Sequence, residues 1–423
     1  MEKQLLREII IEQKDIMESL NLGIQRDIFD IMKKYLTLPH VVVISGIRRT
    51  GKSTLLRQIM EKFYNNNVYY LNFEDERLLN FEVKDFNTLY EVFLELFGEK
   101  KIFFFDEIQN VKNREIFVRR MQDSGYKFFI TGSNASLLSK ELGTKLTGRY
   151  VMISLLPFSF REFLRFKGQN INSDILLVTK GRGLIKRFFN EYLEEGGMPE
   201  YLKYKDKTIL KRTYEDILYR DISVRYEIKS VKKLRELSLY FMSNPGCVFS
   251  YNNLKNMLQL GSVNTVKSYI TYLENSFLLF TINALSFSLK KQFITQKKTY
   301  CIDNGVMNAI SFQFSKNKGK FLENMVFIEL KRRYDKLYYY KTKNGKEVDF
   351  LIKEGRDKKN ITLIQVADSL SNKVVWHREV DALLSGMEEL KVTKSLILTN
   401  DEDETIKIKG KNIEVKSIYK WLI

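Results

Sequence analysis

The sequence predicts an α/β protein whose core is a parallel sheet. Two observations carry that expectation. Between residues 41 and about 153, short apolar runs alternate with amphipathic helical stretches, the pattern of parallel strands joined by crossover helices. Further on, Asn344-Gly345 lies between two apolar runs, the strongest short hairpin signal, and marks a second α/β region. With 423 residues, 44% of them hydrophobic, the chain can bury more than one core, at roughly 150 residues per domain.

Residues 2–35 read as helical, with Leu6, Ile9, Ile10, Ile16 and Leu20 near helical spacing. Strands are expected at 41–44, 68–73, 102–105, 128–131 and 150–155, closing a first domain over residues 1–155. Residues 156–230 look mostly helical, a lid or linker interrupted at Gly196-Gly197-Met198-Pro199. Residues 231–312 combine helices with a hairpin, and residues 313–423 form another α/β unit. No apolar run approaches the roughly 20 residues a membrane helix needs, and Met1-Glu2-Lys3-Gln4 opens an amphipathic stretch rather than a leader. A cytoplasmic protein without membrane association is expected. Cys247 and Cys301, far apart, argue against a disulfide framework or zinc site, and two histidines exclude a multi-histidine metal centre.

The first apolar run leads into Gly46-Ile47-Arg48-Arg49-Thr50-Gly51-Lys52-Ser53, and then into a helix striped by Leu55, Leu56, Ile59, Met60 and Phe63. The two glycines let the backbone curl so that successive N–H groups face an anion at a helix N-terminus. At this spacing the lysine reaches the β- and γ-phosphates and the serine hydroxyl a magnesium ion. Gly46 to Ser53, with Thr54, is therefore the expected site for Mg2+ and a nucleotide, ATP foremost, and Lys52 is also expected to act in catalysis. The run 102–105 ends in Asp106-Glu107, and ligands sit at the carboxyl ends of parallel strands. Asp106 is the expected second metal group beside Ser53, and Glu107 the base that polarises water. Glu74 and Asp75, ending the second strand, are candidate supporting groups. At the tip of the fourth strand, Ser133 and Asn134 are candidates to orient that water, or else cap a helix. Arg149 is a candidate cationic finger, in its own site or a neighbour's, or else the partner of a surface carboxylate.

Residues 201–300 carry 17 Lys or Arg against 7 Asp or Glu, more than half of the formal +18. Such a stretch suits a polyanion, because neutralised phosphates release counterions. Lysine enrichment for solubility gives the same composition. Here Ser250 caps a helix over 251–258, Gly261-Ser262 turns, and 263–275 reads as a second helix. Val266, Tyr269, Ile270 and Leu273 form its inward face. Asn264, Lys267, Ser268 and Thr271 are left outward, the kind of side chains that read a major groove. Runs 277–285 and 298–302 can pair as a wing with Lys290 and Lys291 near its tip. The expectation is a winged helix-turn-helix holding double-stranded DNA, with a packing module as the alternative.

Near the C-terminus, a helix carries Glu323, strands at 337–341 and 348–352 flank the hairpin turn, and a third follows at 362–366. A helix acid, a hairpin aspartate and a third strand with Glu-x-Lys make up a restriction-endonuclease-like metal site. Glu323 and Asp349 are present, but the third strand reads Gln365-Val366-Ala367. Two-metal cleavage needs anionic ligands and a cation near the nucleophile. Gln365 offers a neutral carbonyl and Ala367 nothing, so Glu323, Asp349 and Gln365 form a degenerate site, with Lys373 as a substitute cation nearby.

The glycine-bounded loop with its two arginines, Phe103-Phe104-Phe105-Asp106-Glu107-Ile108-Gln109, Thr131-Gly132-Ser133-Asn134 and Thr147-Gly148-Arg149-Tyr150 recur together in one family, as does the run from Leu155 to Phe163. In these motifs the chain resembles the prokaryotic AAA+ superfamily ATPases that carry a C-terminal restriction-endonuclease-like domain. Gly196-Gly197-Met198-Pro199 and the run from Asp216 to Ile222 are similar to the same family. The resemblance implies Walker A and Walker B roles for the residues named, a central P-loop strand, and a winged-helix domain before the last one. A magnesium-dependent ATPase associated with DNA is the reading that results. A nucleotide-gated interaction switch and an ATP-regulated DNA endonuclease are its alternatives, and a homo-oligomer is compatible with all three.

Overall fold

A computed structural model describes residues 1–133, 148–169, 173–286, 295–311, 318–355 and 360–423. The chain divides into two units, one of residues 1–156 with 275–277 and one of the remainder.

In the first unit β1 (Val41–Ser45), β2 (Tyr69–Asn72), β3 (Ile102–Asp106), β4 (Lys127–Gly132) and β5 (Tyr150–Ser154) form a sheet of order β2-β3-β4-β1-β5. All its pairings are parallel, and β1 is interior, between β4 and β5. The interior strands are apolar along most of their length because helices cover both faces. Val41, Val43, Tyr69, Leu71, Phe103, Phe105, Phe128 and Ile130 meet α1 (Lys3–Ser19), α4 (Phe86–Phe97) and α5 (Arg114–Asp123) on one side. Alternate residues Val42, Ile44, Tyr70, Phe104 and Phe129 meet α2 (Ile28–Leu36) and α3 (Lys52–Tyr64) on the other. Phe103 stacks on Phe128 at 4.8 Å and Phe104 on Phe129 at 4.6 Å, so β3 and β4 are clamped on both faces. Each such pair adds about 1 kcal/mol beyond the area it buries.

The helical reading of 2–35 needs correction. The helix stops at Ser19 and a second starts at Ile28. Between them Gly23 takes a left-handed φ of +60°, and its N–H donates to Asn21 Oδ1 at 2.7 Å, a local turn that competes with helix. Ile16, one of the apolar positions at helical spacing, is 66% exposed.

The second unit holds one nine-stranded sheet. Its strands are β6 (Val248–Phe249), β7 (Leu279–Ala284), β8 (Lys297–Cys301), β9 (Leu337–Lys341), β10 (Glu347–Lys353), β11 (Ile361–Ala367), β12 (Lys394–Thr399), β13 (Glu404–Ile408) and β14 (Lys411–Ser417). They lie in the order β13-β14-β12-β11-β10-β9-β7-β8-β6. The hairpin of 231–312 and the strands of 313–423 thus share a sheet, because β7 pairs in parallel with β9 through Asn283↔Tyr338 and Ala284↔Tyr339. This pairing covers an edge that a free-standing wing would expose. Gly345, at φ +79°, turns β9 into β10, and a register shift between Val348 and Leu351 marks a bulge beside Asp349.

Gly196 and Gly197 are explained by Asp303. A Cβ on Gly196, at φ +69°, would lie 2.2 Å from Asp303 Oδ1, and the Gly197 N–H donates to Asp303 Oδ2 at 2.6 Å. Among the described residues no helix is long and apolar enough to cross a membrane.

Candidate nucleotide site and a buried acid cluster

The loop from Gly46 to Ser53 leaves the carboxyl end of β1, where α3 begins. A Cβ on Gly46 would sit 2.3 Å from the Leu155 carbonyl oxygen, so only glycine fits there. Gly51 and Arg49 take left-handed φ values of +89° and +64°, and the Thr50 hydroxyl donates to Ile47 O at 2.9 Å. The Lys52 ammonium donates to Gly46 O at 3.2 Å and pairs with Glu107 at 3.3 Å. Arg48 pairs with Glu74 at 3.0 Å. Asp75 instead caps its own turn and pairs with Arg77, whose hydrogen bonds hold its carboxyl down at about 2. Arg26, which no motif singled out, donates to Thr50 O at 2.9 Å and to Leu156 O at 2.6 Å, tying the segment before α2 to the loop.

The acid pair at the tip of β3 is organised by Thr131 of β4. The Thr131 hydroxyl donates to Asp106 Oδ1 and accepts the Glu107 N–H at 3.0 Å. Glu107 is thereby held at a left-handed φ of +49°, and the Gln109 amide donates to its Oε2. Asp106 is fully buried, and its Oδ2 has no hydrogen-bond partner among the described residues. Burial, and then the charge of Glu107, raise the Asp106 carboxyl above its ordinary value. Burial works the same way on Glu107, yet Lys52, Gln109 and Arg48 bring it below. A buried carboxylate with one orphaned oxygen, on a side chain that also faces the Ser53 hydroxyl, fits a hard divalent cation.

Sequence reasoning named Ser133 and Asn134, just past β4, and did not select Thr131 or Gln109. Ser133 is buried at that strand's end, and Asn134 lies outside the described residues. The available signal was a hydroxyl among the last residues of the strand flanking the acids. Arg149 is not a finger in its own site. It precedes β5 at the amino edge of the sheet, where its carbonyl accepts the Val41 N–H at 3.0 Å and its side chain pairs with Asp123. Strand β1 separates that edge from the P-loop by about 13 Å.

In the second unit, Ser262 caps the Val263–Asn275 helix, whose Val266, Tyr269, Ile270 and Leu273 are buried. Asn264, Lys267 and Thr271 are exposed and Ser268 is half-buried, with the Lys267 ammonium 5.4 Å from the Tyr251 ring centre. Lys290 and Lys291 lie outside the described residues.

Glu323, Asp349 and Gln365 come together, along with Lys298, Glu347 and Glu379, which the sequence reading did not select. Lys298 is 2.8 Å from Glu323, 2.9 Å from Glu347 and 2.9 Å from Asp349. The structure gives Gln365 and Lys373 distinct surroundings. The Gln365 carbonyl accepts the Asp349 N–H at 3.1 Å while its amide donates to Glu379 at 2.5 Å, so Gln365 is a committed cross-brace rather than a waiting ligand. The nearby cation is Lys298, from β8, whereas Lys373 is exposed at a helix start. A cavity of about 860 Å³ lies over the cluster, lined by Glu323, Glu347, Asp349, Gln365 and Glu379 among others.

Comparison with known proteins bears on the same residues. An AAA domain family model matches residues 39–164, and two domains of unknown function, DUF8612 and DUF4143, match residues 186–317 and 318–421. An uncharacterized protein of Methanocaldococcus jannaschii is 38% identical across 99% of this chain and 95% of its own length. The chain belongs to that protein's family. An uncharacterized protein of Haemophilus influenzae is also similar, at 32% identity over 90% of this chain and 94% of its own. AMPPCP-bound DnaA from Aquifex aeolicus matches at 17% identity and a TM-score of 0.26, covering 61% of this chain and 90% of that one. In this member of the family, the AAA-type P-loop domain contains Gly46 to Ser53, Asp106, Glu107 and Thr131.

Proposed function

We propose that this family member is a magnesium-dependent ATPase of the AAA+ superfamily, hydrolysing ATP to ADP and phosphate in association with DNA. The observation that carries the reading is the meeting of Lys52, Ser53, Asp106 and Glu107 at one strand edge, with Asp106 braced by Thr131 through Oδ1 and its Oδ2 left free. Loop N–H groups and Lys52 bind the phosphates. Ser53 and Asp106 would hold magnesium, which when bound offsets phosphate charge. Glu107, kept below its ordinary pKa, is ionised at neutral pH and accepts the proton of the attacking water. Phosphoryl transfer needs mostly positioning and charge, and the hydroxyl of Thr131 fixes both acids at once.

For DNA, the support is the exposed row Asn264, Lys267 and Thr271 on a capped helix, followed by the β7–β8 hairpin, within a basic stretch. This is read as a winged helix-turn-helix over 231–312. Residues 313–423 are read as a restriction-endonuclease-like unit that has lost cleavage, supported by Gln365 and Ala367 on β11.

ATP hydrolysis and nucleotide affinity of Glu107→Gln and Lys52→Ala test the core reading. Glu107→Gln is expected to keep ATP affinity and lose about 10²–10³-fold in turnover, while Lys52→Ala loses both. Wild-type turnover in Glu107→Gln overturns it. A nucleotide-gated switch is separated by the same variant, which would keep partner binding at full strength. DNA affinity that ignores salt, or survives Lys267→Glu, removes the winged-helix reading.

A further inference from the structure

The acid cluster of the second unit already contains a cation. Lys298 is 2% exposed, and its ammonium bridges Glu323, Glu347 and Asp349 at 2.8, 2.9 and 2.9 Å. These are charge-assisted hydrogen-bond lengths. The three acids come from a helix and from β10, on which Glu347 and Asp349 are two residues apart and so share a face. The carboxylates are fixed from behind. Tyr300 donates to Glu323 at 2.7 Å, the Val366 N–H donates to Asp349 Oδ2 at 3.0 Å, and Gln365 braces the Asp349 backbone. Strands β8 and β10 are three places apart in the sheet, about 14 Å if it were flat, so the ion pairs also hold a curled sheet closed.

We propose that Lys298 is a built-in substitute for a divalent cation, so that the second unit is a metal-independent site whose three acids are bridged by a cation that the chain itself supplies. Three carboxylates facing one ammonium leave a formal −2 when all are ionised, and a buried acid group without its cation is strongly unfavourable. Burial would lower the Lys298 ammonium, but Asp349, Glu323 and Glu347 carry it well above its ordinary value, so it remains charged. Removing it leaves three converging oxygen donors with a cavity of about 860 Å³ above them. With the ammonium in place no group of three acids among the described residues could hold a metal ion; once it is removed, the oxygens are the hard donors that Mn2+ or Ca2+ takes. The inference rests on the second unit and is independent of the ATPase reading.

The test is Mn2+ binding to the full chain without nucleotide, by calorimetry, in an Asp106→Asn background that silences the first unit. The chain with Lys298 intact is expected to show no Asp349-dependent site. Lys298→Ala is expected to gain one Mn2+ site, about 100-fold tighter than any in its parent, and Lys298→Ala with Asp349→Asn to lose it. If Lys298→Ala does not fold alone, Mn2+ added during refolding is expected to restore the parent circular-dichroism melt. A parent chain whose Mn2+ binding is abolished by Asp349→Asn overturns the proposal. So does a Lys298→Ala chain that neither binds Mn2+ nor is rescued by it.

Discussion

Thr131→Val isolates the brace between the two acids of the nucleotide site. Valine matches threonine in shape, so the packing of β4 against β3 survives while two hydrogen bonds vanish. The Glu107 N–H loses its acceptor and Asp106 loses a charge-assisted donor, a combined cost of about 3 kcal/mol. For a unit of about 150 residues that lowers the melting temperature by about 6–12 °C. Once its N–H is loose, the left-handed Glu107 backbone is held only through its carbonyl, by the Asn110 N–H at 3.2 Å, and misplacement of a base by about an ångström costs on the order of 10²-fold in turnover. Thr131 does not touch the loop that binds phosphate, so ATP affinity is expected to stay within about threefold. The hydroxyl also lowers the Asp106 carboxyl, so its loss moves the acid limb of the rate profile to higher pH. Steady-state hydrolysis across pH, with binding measured separately, reads all of this, and Thr131→Ser is expected to restore it. Wild-type turnover in Thr131→Val, or a loss confined to ATP affinity, would refute the reasoning.

Gly46→Ala would drive a Cβ to 2.3 Å from the Leu155 carbonyl; nucleotide binding is expected to disappear in calorimetry, whatever the fate of the second unit. Arg149→Ala removes only a half-exposed pair with Asp123 and is expected to cost under about 1 kcal/mol, with turnover unchanged. A concentration-dependent tenfold drop would give it a role on a neighbouring copy. Asp303 is raised by burial from 3.8 to about 6, so it holds its proton better folded than unfolded. The stability it contributes is present below about pH 4 and lost as pH rises through 6. Urea melts should show the wild type losing about 3 kcal/mol between pH 4 and 7 relative to Asp303→Asn, and parallel curves would discard that carboxyl as the source.

What was legible in the chain was whatever is local. Each strand of the first sheet was located within one residue by a mostly apolar run, because burial of the interior strands on both faces leaves few polar residues, and the loop after β1 is a contiguous signal. The hairpin at Asn344-Gly345 was equally plain, because its turn chemistry sits within two residues. Thr131 escaped because its importance comes from a neighbouring strand 25 positions away, not from its own surroundings.

The same logic explains the second unit. Lys298 and Asp349 are 51 residues apart, and their elements fall in two different domain families, 186–317 and 318–421. Read separately, the later segment is an acid site lacking its lysine, and the earlier one a wing with a lysine on its inner strand. Only the pairing of β7 with β9 brings the two halves into one sheet, and no periodicity within either half encodes it. An absent lysine in a strand motif is therefore weak grounds for calling such a site empty of positive charge. A cation can be supplied by any strand that the sheet folds back toward the acids, and here β8 supplies it.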